Sequence, residues 1–149
     1  MPSKQQLYDF CKAFADNRMG RLQTNVRDIQ DSLLSETKSS AGDKHETGRA
    51  MLQLEREKLG QQLAEAEKMR QFLSKVVLER NSTSVGLGSW VQTSKADYFL
   101  AISAGMYKGP DSSVYCISAE TPIGKLLIGK FAGDTFVFKN EEIKILKVE

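Results

Sequence analysis

The chain has 149 residues, enough for one ordinary domain or two small ones. Its hydrophobic content of 40% and charged content of 27% are close to globular averages, which argues against a wholly disordered protein. The net charge of +2 is too small for a protein that depends on many phosphate contacts, so we expect no independent sequence-specific DNA binding.

The two cysteines, Cys11 and Cys116, are far apart in the sequence and lie in no Cys-x-x-Cys pattern. This spacing predicts neither a disulfide framework nor a zinc site, and it favours two semi-buried free thiols in a reducing compartment. The first residues lack the apolar run of a signal peptide, and no segment has the roughly 18 consecutive apolar residues that span a bilayer. We therefore expect a cytoplasmic protein with no membrane partner.

The first predicted element is a long amphipathic helix whose apolar stripe runs from Leu7 to Leu34. Its apolar residues recur mostly at steps of three and four, with one gap around Arg18 and Met19, which is the pattern of one helix face. These residues are Leu7, Phe10, Cys11, Phe14, Leu22, Val26, Ile29, Leu33 and Leu34. Charged and amide side chains fill the intervening positions, as expected of a solvated face.

A second helical stretch follows, with apolar residues at Met51, Leu52, Leu59, Leu63, Ala66, Phe72, Leu73, Val76 and Val77. Each stretch would form a helix of roughly 33 residues, about 50 Å long. The two stretches flank the polar segment 39–48, which predicts an antiparallel coiled-coil hairpin over residues 1–80 with this segment as its tip. A parallel dimer of continuous helices is the alternative, although Gly42 and Gly48 favour a turn.

The periodicity changes after a Ser- and Gly-rich linker, and residues 81–149 predict a small α+β domain. The predicted strands are residues 90–93, 98–102, 114–118, 135–138 and 143–148. A short helix is predicted from Thr121 as N-cap and Pro122 at the first helical position, with Gly129 ending it. The predicted core consists of Trp90, Phe99, Ile102, Tyr115, Ile117, Leu127, Phe136, Phe138 and Ile145.

Several short motifs follow the third predicted strand in one order. Residues 117–130 read Ile-Ser-Ala-Glu-Thr-Pro-Ile-Gly-Lys-Leu-Leu-Ile-Gly-Lys, then come Gly133 and Asp134, and residues 145–149 read Ile-Leu-Lys-Val-Glu. This series resembles the C-terminal domain of the GreA/GreB family of transcript-cleavage factors. In the predicted tip, Gly42-Asp43-x-x-Glu46 is similar to the Gly-Asp-Leu-x-Glu-Asn motif of that family.

The resemblance implies a coiled-coil hairpin followed by an FKBP-like antiparallel sheet with one short helix. It also implies a transcription elongation factor that binds in the secondary channel of RNA polymerase, meets nascent RNA only indirectly, and is not itself an enzyme. Asp43 and Glu46 would assist catalysis by sharing a Mg²⁺ ion with the polymerase, which itself cuts backtracked RNA. Carboxylates are the hard oxygen ligands that this ion prefers. No cofactor bound by the chain alone is implied.

The predicted tip departs from the family pattern at several positions. Lys44 replaces a leucine, Thr47 replaces an asparagine, and Arg49-Ala50 stands where the family has Glu-Tyr. Positive charges beside the two carboxylates weaken the capture of a cation. A regulator that occupies the channel without stimulating cleavage is therefore an open alternative.

Other interpretations of the same residues also stay open. Asp43 and Glu46 have the spacing of a capping box, which is a purely structural role, and His45 is expected to be a solvated tip residue. A non-catalytic adaptor whose coil pairs with a partner coil is a second functional hypothesis. A stand-alone prolyl isomerase is a third, and it depends only on the FKBP-like fold.

Overall fold

A computed structural model describes the backbone of residues 2–38, 43–79 and 83–149, and their side chains except those of residues 36–38 and 43–46. The chain divides into two compact units. Ala15–Met69 forms one, here called the hairpin unit, and Met1–Phe14 together with Arg70–Glu149 forms the other, here called the sheet unit. These units cut across the predicted segments 1–80 and 81–149, because the first fourteen residues belong with the sheet.

The two long helices are confirmed as α1, Lys4–Lys38, and α2, Asp43–Ser74. In the hairpin unit, apolar side chains of both helices form one core. Its members are Met19, Leu22, Val26, Ile29, Leu59 and Ala66, flanked by Leu33, Leu52 and Leu63. Because only residues 39–42 separate the helices and both contribute to the same core, α1 and α2 run antiparallel. This excludes the alternative of one continuous helix.

The details of the helices differ from the predicted pattern in four places. Ala15 and Met19 are buried and fill the apparent gap, whereas Met51 is 65% exposed because it lies about 100° around the helix from its neighbour Leu52. Residues 43–48 are helical, so the predicted turn at 39–48 is wrong over this part, and residues 39–42 lie outside the described residues. At the other end α2 stops at Ser74, before the predicted Val76 and Val77, because its last turn tightens into i→i−3 hydrogen bonds.

The described part of residues 83–149 forms six strands and one short helix, which confirms the α+β class. In chain order the elements are β1 Trp90–Thr93, β2 Asp97–Leu100, β3 Gly105–Lys108, β4 Ser113–Ile117, α3 Pro122–Leu127, β5 Thr135–Phe138 and β6 Glu141–Val148. The strand order is β3-β4-β2-β1-β6-β5. The sequence predicted about five strands and missed β3, a four-residue edge strand that begins with a glycine.

The sheet is mixed, whereas an antiparallel sheet was predicted. Pairing is antiparallel for β1 with β2, β1 with β6, β3 with β4 and β5 with β6, but β2 and β4 are parallel. The parallel pair arises because the chain leaves β2, forms the edge strand β3, and turns back so that β4 lies between them. The connection from β4 to β5 contains α3 and reaches the opposite edge of the sheet.

Helix α3 packs on one sheet face and closes the core there. The core residues are Val85, Val91, Tyr98, Leu100, Leu127, Phe136, Ile143 and Ile145, and partly buried Ile117 and Phe138 pack against them. The prediction of Tyr115 as a core residue was wrong, because the strand alternation buries Val114 and Cys116 and leaves Tyr115 44% exposed. No helix among residues 2–38, 43–79 and 83–149 is long and apolar enough to cross a membrane.

Candidate functional site

The two carboxylate residues of the predicted tip lie in the first turns of α2. Asp43 is the first residue of this helix, and Glu46 follows three residues later. Residues three apart occupy the same side of a helix, so the backbone places both at the end of the hairpin where α1 and α2 are connected. Their side chains lie outside the described residues, so the hydrogen bonds of the predicted capping box do too.

The hairpin core fixes where these two residues stand. Val26, Ile29 and Leu59 are each 8% exposed and lock α1 against α2. Burying a side chain of this size stabilises the pair by about 1.5–3 kcal/mol. Because this core holds α1 and α2 together, the start of α2 has a defined position relative to α1.

The helix end has a mixed electrostatic character. The N-terminus of α2 carries a partial positive charge that stabilises nearby carboxylates such as those of Asp43 and Glu46. Lys44 and Arg49 add formal positive charges in the first two turns, and Arg49 is exposed and engaged in an interaction of its own. This surface therefore suits an anionic partner as well as a shared cation.

Two carboxylates cannot enclose a metal ion by themselves, because Mg²⁺ takes six oxygen ligands. Among the described side chains, no group of three or more His, Cys, Asp or Glu residues could hold a metal ion. The donor chemistry of Asp43 and Glu46 fits a hard cation, but a partner would have to supply the remaining ligands.

The Thr-Pro-Ile-Gly motif has a clear structural role at the start of α3. Thr121 is the N-cap, and its Oγ1 accepts a hydrogen bond from the Gly124 backbone nitrogen at 3.1 Å. The same hydroxyl donates to the Ser118 carbonyl oxygen at 2.8 Å. A Cβ atom at Gly124 would overlap that carbonyl oxygen, so the backbone can pass here only with glycine.

The Ile-Gly-Lys and Gly-Asp motifs also serve the fold. Gly129 has a φ of +80°, the left-handed conformation that glycine adopts after a helix, and its nitrogen donates to the Val85 carbonyl oxygen at 2.9 Å. Asp134 accepts a hydrogen bond from the Phe131 nitrogen on Oδ2 at 2.8 Å. None of these contacts identifies a binding partner. Four of the residues that carry the family resemblance thus have structural roles, namely Thr121, Gly124, Gly129 and Asp134.

A small apolar cavity lies within the sheet unit beside the N-terminal end of α3. It has a volume of about 220 Å³ and is lined by Phe72, Leu87, Ala101, Ser118, Ala119 and Glu120. Phe72 is the one aromatic side chain of the lining, and the remainder is mostly small. Nothing in this lining positions a peptide bond, so the cavity gives the prolyl-isomerase hypothesis no support.

The outer face of α2 carries apolar side chains that the hairpin core does not cover. Met51 is 65% exposed and Leu54 is 66% exposed, and they lie three residues apart on the helix. Next to them a surface groove of about 430 Å³ is lined by Leu54, Glu55, Lys58, Leu59 and Gln62. Leu54 was not predicted as a notable position because it falls outside the core stripe.

The structure also brings together two residues that the sequence kept apart. Cys11 is 0% exposed and Cys116 is 1% exposed, both are free thiols, and their side chains are hydrogen-bonded to each other. Free thiols were expected, but their contact was not, because it depends on the packing of α1 against β4.

No protein-family model and no curated protein matches the chain. Among solved structures, the chain is similar to one described as the structure of the transcription factor Gfh1. The match has 22% sequence identity and a TM-score of 0.35, and it covers 88% of this chain and 92% of the other. A TM-score this low does not establish a common fold, so any function has to be argued from the residues themselves.

Proposed function

We propose that the chain is a Gre-like transcription elongation factor that binds in the secondary channel of RNA polymerase. In this proposal the connected end of the hairpin reaches the active centre, and the small domain docks at the channel rim. Asp43 and Glu46 then add oxygen ligands for a Mg²⁺ ion held jointly with the polymerase. The protein is an accessory factor in the cytoplasm, and the polymerase cuts the RNA.

One observation carries the proposal. The only Gly-Asp-x-x-Glu sequence of the chain ends in the first turns of α2, directly after the connection between two long antiparallel helices. A long, thin helix pair is the kind of element that fits into a channel, and a pair of carboxylates at its end is chemically suited to a metal-dependent site. The motifs of residues 117–134 resemble those of the GreA/GreB family in their order, and this resemblance is a second support for the proposal.

The chemistry required of the chain is limited. A second Mg²⁺ ion in a nucleic-acid hydrolysis site activates water and stabilises the leaving oxygen. The two carboxylates of this chain would hold and orient that ion, while the polymerase supplies the other ligands and the substrate. Lys44 and Arg49 would lower the affinity for the ion and favour contact with RNA phosphates.

A cleavage assay on stalled, backtracked elongation complexes tests the proposal. Wild-type protein should shorten the transcript in the presence of Mg²⁺. The double variant Asp43→Asn/Glu46→Gln should lose this activity, because it removes both charges with little change in shape. The matched control Asp28→Asn/Glu57→Gln removes two exposed carboxylates elsewhere on the hairpin and should keep it. Equal cleavage by both double variants would refute the role of the carboxylates.

A second candidate is a non-catalytic factor, either an adaptor or a channel-occupying regulator. The observation that favours it is the exposed pair Met51 and Leu54 with its neighbouring groove, which is suited to a partner helix. If wild-type protein cuts no RNA, competition with an authentic cleavage factor separates the two forms. Displacement would indicate a channel occupant without cleavage activity, and an absence of competition would leave the adaptor.

A further inference from the structure

Two thiols of the sheet unit meet although they are about a hundred residues apart in sequence. Cys11 belongs to the early turns of α1, and Cys116 is the next-to-last residue of β4. Both side chains are essentially inaccessible to solvent. The proposed polymerase-binding role uses neither of them, so their contact requires a separate explanation.

Strand pairing fixes Cys116 in place. It lies opposite Phe99 of β2 on one side and opposite Gly105 of β3 on the other. The Ala104 nitrogen also donates a hydrogen bond to the Cys116 carbonyl oxygen at 3.1 Å. A residue paired on both sides within a sheet has little freedom to move away from a neighbouring side chain.

Independent contacts fix Cys11 above the same strands. The ring of Phe10 packs edge-to-face on Tyr107 of β3, with 5.5 Å between the ring centroids. The backbone nitrogen of Ile102 donates a hydrogen bond to the Cys11 sulfur, and the Cys116 thiol donates a second one. The first turns of α1 are therefore held over β3 and β4 with the two sulfur atoms side by side.

We propose that Cys11 and Cys116 form a peroxide-oxidisable thiol pair that closes into an intramolecular disulfide, linking α1 to β4. Because the two thiols are hydrogen-bonded neighbours, the sulfur atoms only have to approach to about 2.05 Å for the bond to form. A disulfide between residues this distant in sequence restricts the unfolded chain strongly, and the oxidised protein should resist unfolding more than the reduced one.

The two thiols have different roles in the reaction. Hydrogen bonds from the Cys116 thiol and the Ile102 nitrogen stabilise a thiolate at Cys11 and lower the pKa of Cys11 despite its burial. The hydrogen bond to Cys11 and burial both raise the pKa of Cys116. The Ile102 backbone N–H is directed at Cys11, and no backbone donor among the described residues acts on the Cys116 sulfur. Cys11 is therefore the attacking group, and Cys116 is the group that resolves the intermediate.

The chemistry balances with hydrogen peroxide as the oxidant. The Cys11 thiolate attacks one peroxide oxygen, the O–O bond breaks, and a sulfenic acid and hydroxide form. The Cys116 sulfur then attacks the Cys11 sulfur, and the hydroxyl group leaves as water after taking the Cys116 proton. Overall, two thiols and one peroxide give one disulfide and two waters. Because both thiols are buried, local opening at the start of α1 limits the rate.

The test is peroxide treatment of the full-length folded protein, followed by non-reducing peptide mapping. Wild-type protein should give a peptide that joins Cys11 to Cys116 within one chain, and its thermal midpoint should rise and return after reduction. In Cys116→Ala the sulfenic acid should persist and react with dimedone at Cys11. In Cys11→Ala the remaining Cys116 should stay unlabelled. Circular dichroism should first establish that both variants are folded.

Several outcomes would overturn the proposal. Thiols that stay reduced in the folded protein but oxidise once urea is added would show that burial prevents the reaction. Disulfides formed only between chains would show that the pair is not aligned for closure. Dimedone labelling of Cys116 in Cys11→Ala, with none of Cys11 in Cys116→Ala, would reverse the assigned roles. The wild-type mapping decides the main claim even if a variant fails to fold.

Discussion

Replacing Gly124 by alanine should destabilise the sheet unit, because the added methyl group has no space. Its Cβ atom would overlap the Ser118 carbonyl oxygen and would lie 2.8 Å from Thr121 Oγ1 and 3.0 Å from Ala119 Cα. Two of these three neighbours are backbone atoms that cannot rotate away. The substitution also displaces the hydroxyl that caps α3.

The magnitude follows from these two effects. Overpacking a close contact costs about 1–3 kcal/mol, and losing an N-cap hydrogen bond costs about 1 kcal/mol, so we expect a loss of about 2–4 kcal/mol in the free energy of unfolding. Trp90 is the single tryptophan of the chain and is 4% exposed, so its fluorescence reports unfolding of the sheet unit. Urea titrations of wild-type and Gly124→Ala protein measure the difference.

Gly20→Ala is the matched control, because it adds the same methyl group where nothing lies within 4 Å. Gly20 is exposed within α1, where alanine stabilises a helix by about 1 kcal/mol relative to glycine. Far-ultraviolet circular dichroism should therefore show a small gain in helix stability. If Gly124→Ala is as stable as wild type, the close contacts at the start of α3 do not exclude a side chain at position 124, and the reasoning is refuted.

Three further predictions concern the hairpin, a half-buried carboxylate and the tip. Leu59→Ala should lower the free energy of unfolding of the hairpin unit by about 2–5 kcal/mol, because Leu59 is a core residue. Leu54→Ala should change this free energy by less than about 0.5 kcal/mol, because Leu54 is exposed. Circular dichroism during urea unfolding compares the two variants. Burial raises the pKa of Asp97, so the protein should lose stability as the pH rises from the unfolded to the folded pKa of this carboxyl. Asp97→Asn should then give a higher urea midpoint than wild type at neutral pH and an equal one below about pH 4, and an equal midpoint at both would contradict this reasoning. Lys44→Leu should lower the Mg²⁺ concentration needed for half-maximal RNA cleavage by about fivefold, because it removes one positive charge near the carboxylates. A magnesium titration of the cleavage assay measures this concentration.

Asp97 also interacts with the side chain of Trp90. Within the described structure, the buried indole nitrogen of Trp90 has no hydrogen bond of good geometry. It still lies near enough to the Asp97 carboxylate to lower the pKa of Asp97, which opposes the larger effect of burial. An asparagine oxygen can accept from the same N–H group, so Asp97→Asn removes the charge and keeps this interaction.

The fold was predictable where local chemistry decides it. Periodicity identified both helices, and Thr121, Pro122 and Gly129 identified the start and end of α3 because capping is a local property. Strand β3 and the parallel pairing of β2 with β4 were missed, because pairing partners depend on contacts between distant segments. Tyr115 was misplaced for a related reason: the sequence does not show which face of β4 the rest of the fold covers, and the covered face carries Val114 and Cys116.

The candidate site was predictable only as a position in the chain. The sequence placed Asp43 and Glu46 beside the connection between the helices, and the helix bounds agree with that position. The contact between Cys11 and Cys116 could not be predicted, because nothing in a sequence shows that the start of one helix packs against a particular strand.

Site-specific cross-linking tests the polymerase-channel proposal most directly. A photoreactive benzoylphenylalanine at Ala50, an exposed position in α2 near the carboxylates, would be compared with one at exposed Gln61, about 16 Å further along the helix. In backtracked elongation complexes, the probe at position 50 should cross-link to the RNA 3′ segment or to the polymerase active centre, and the probe at position 61 should reach only the channel wall. No polymerase cross-link from either position would contradict the proposed function.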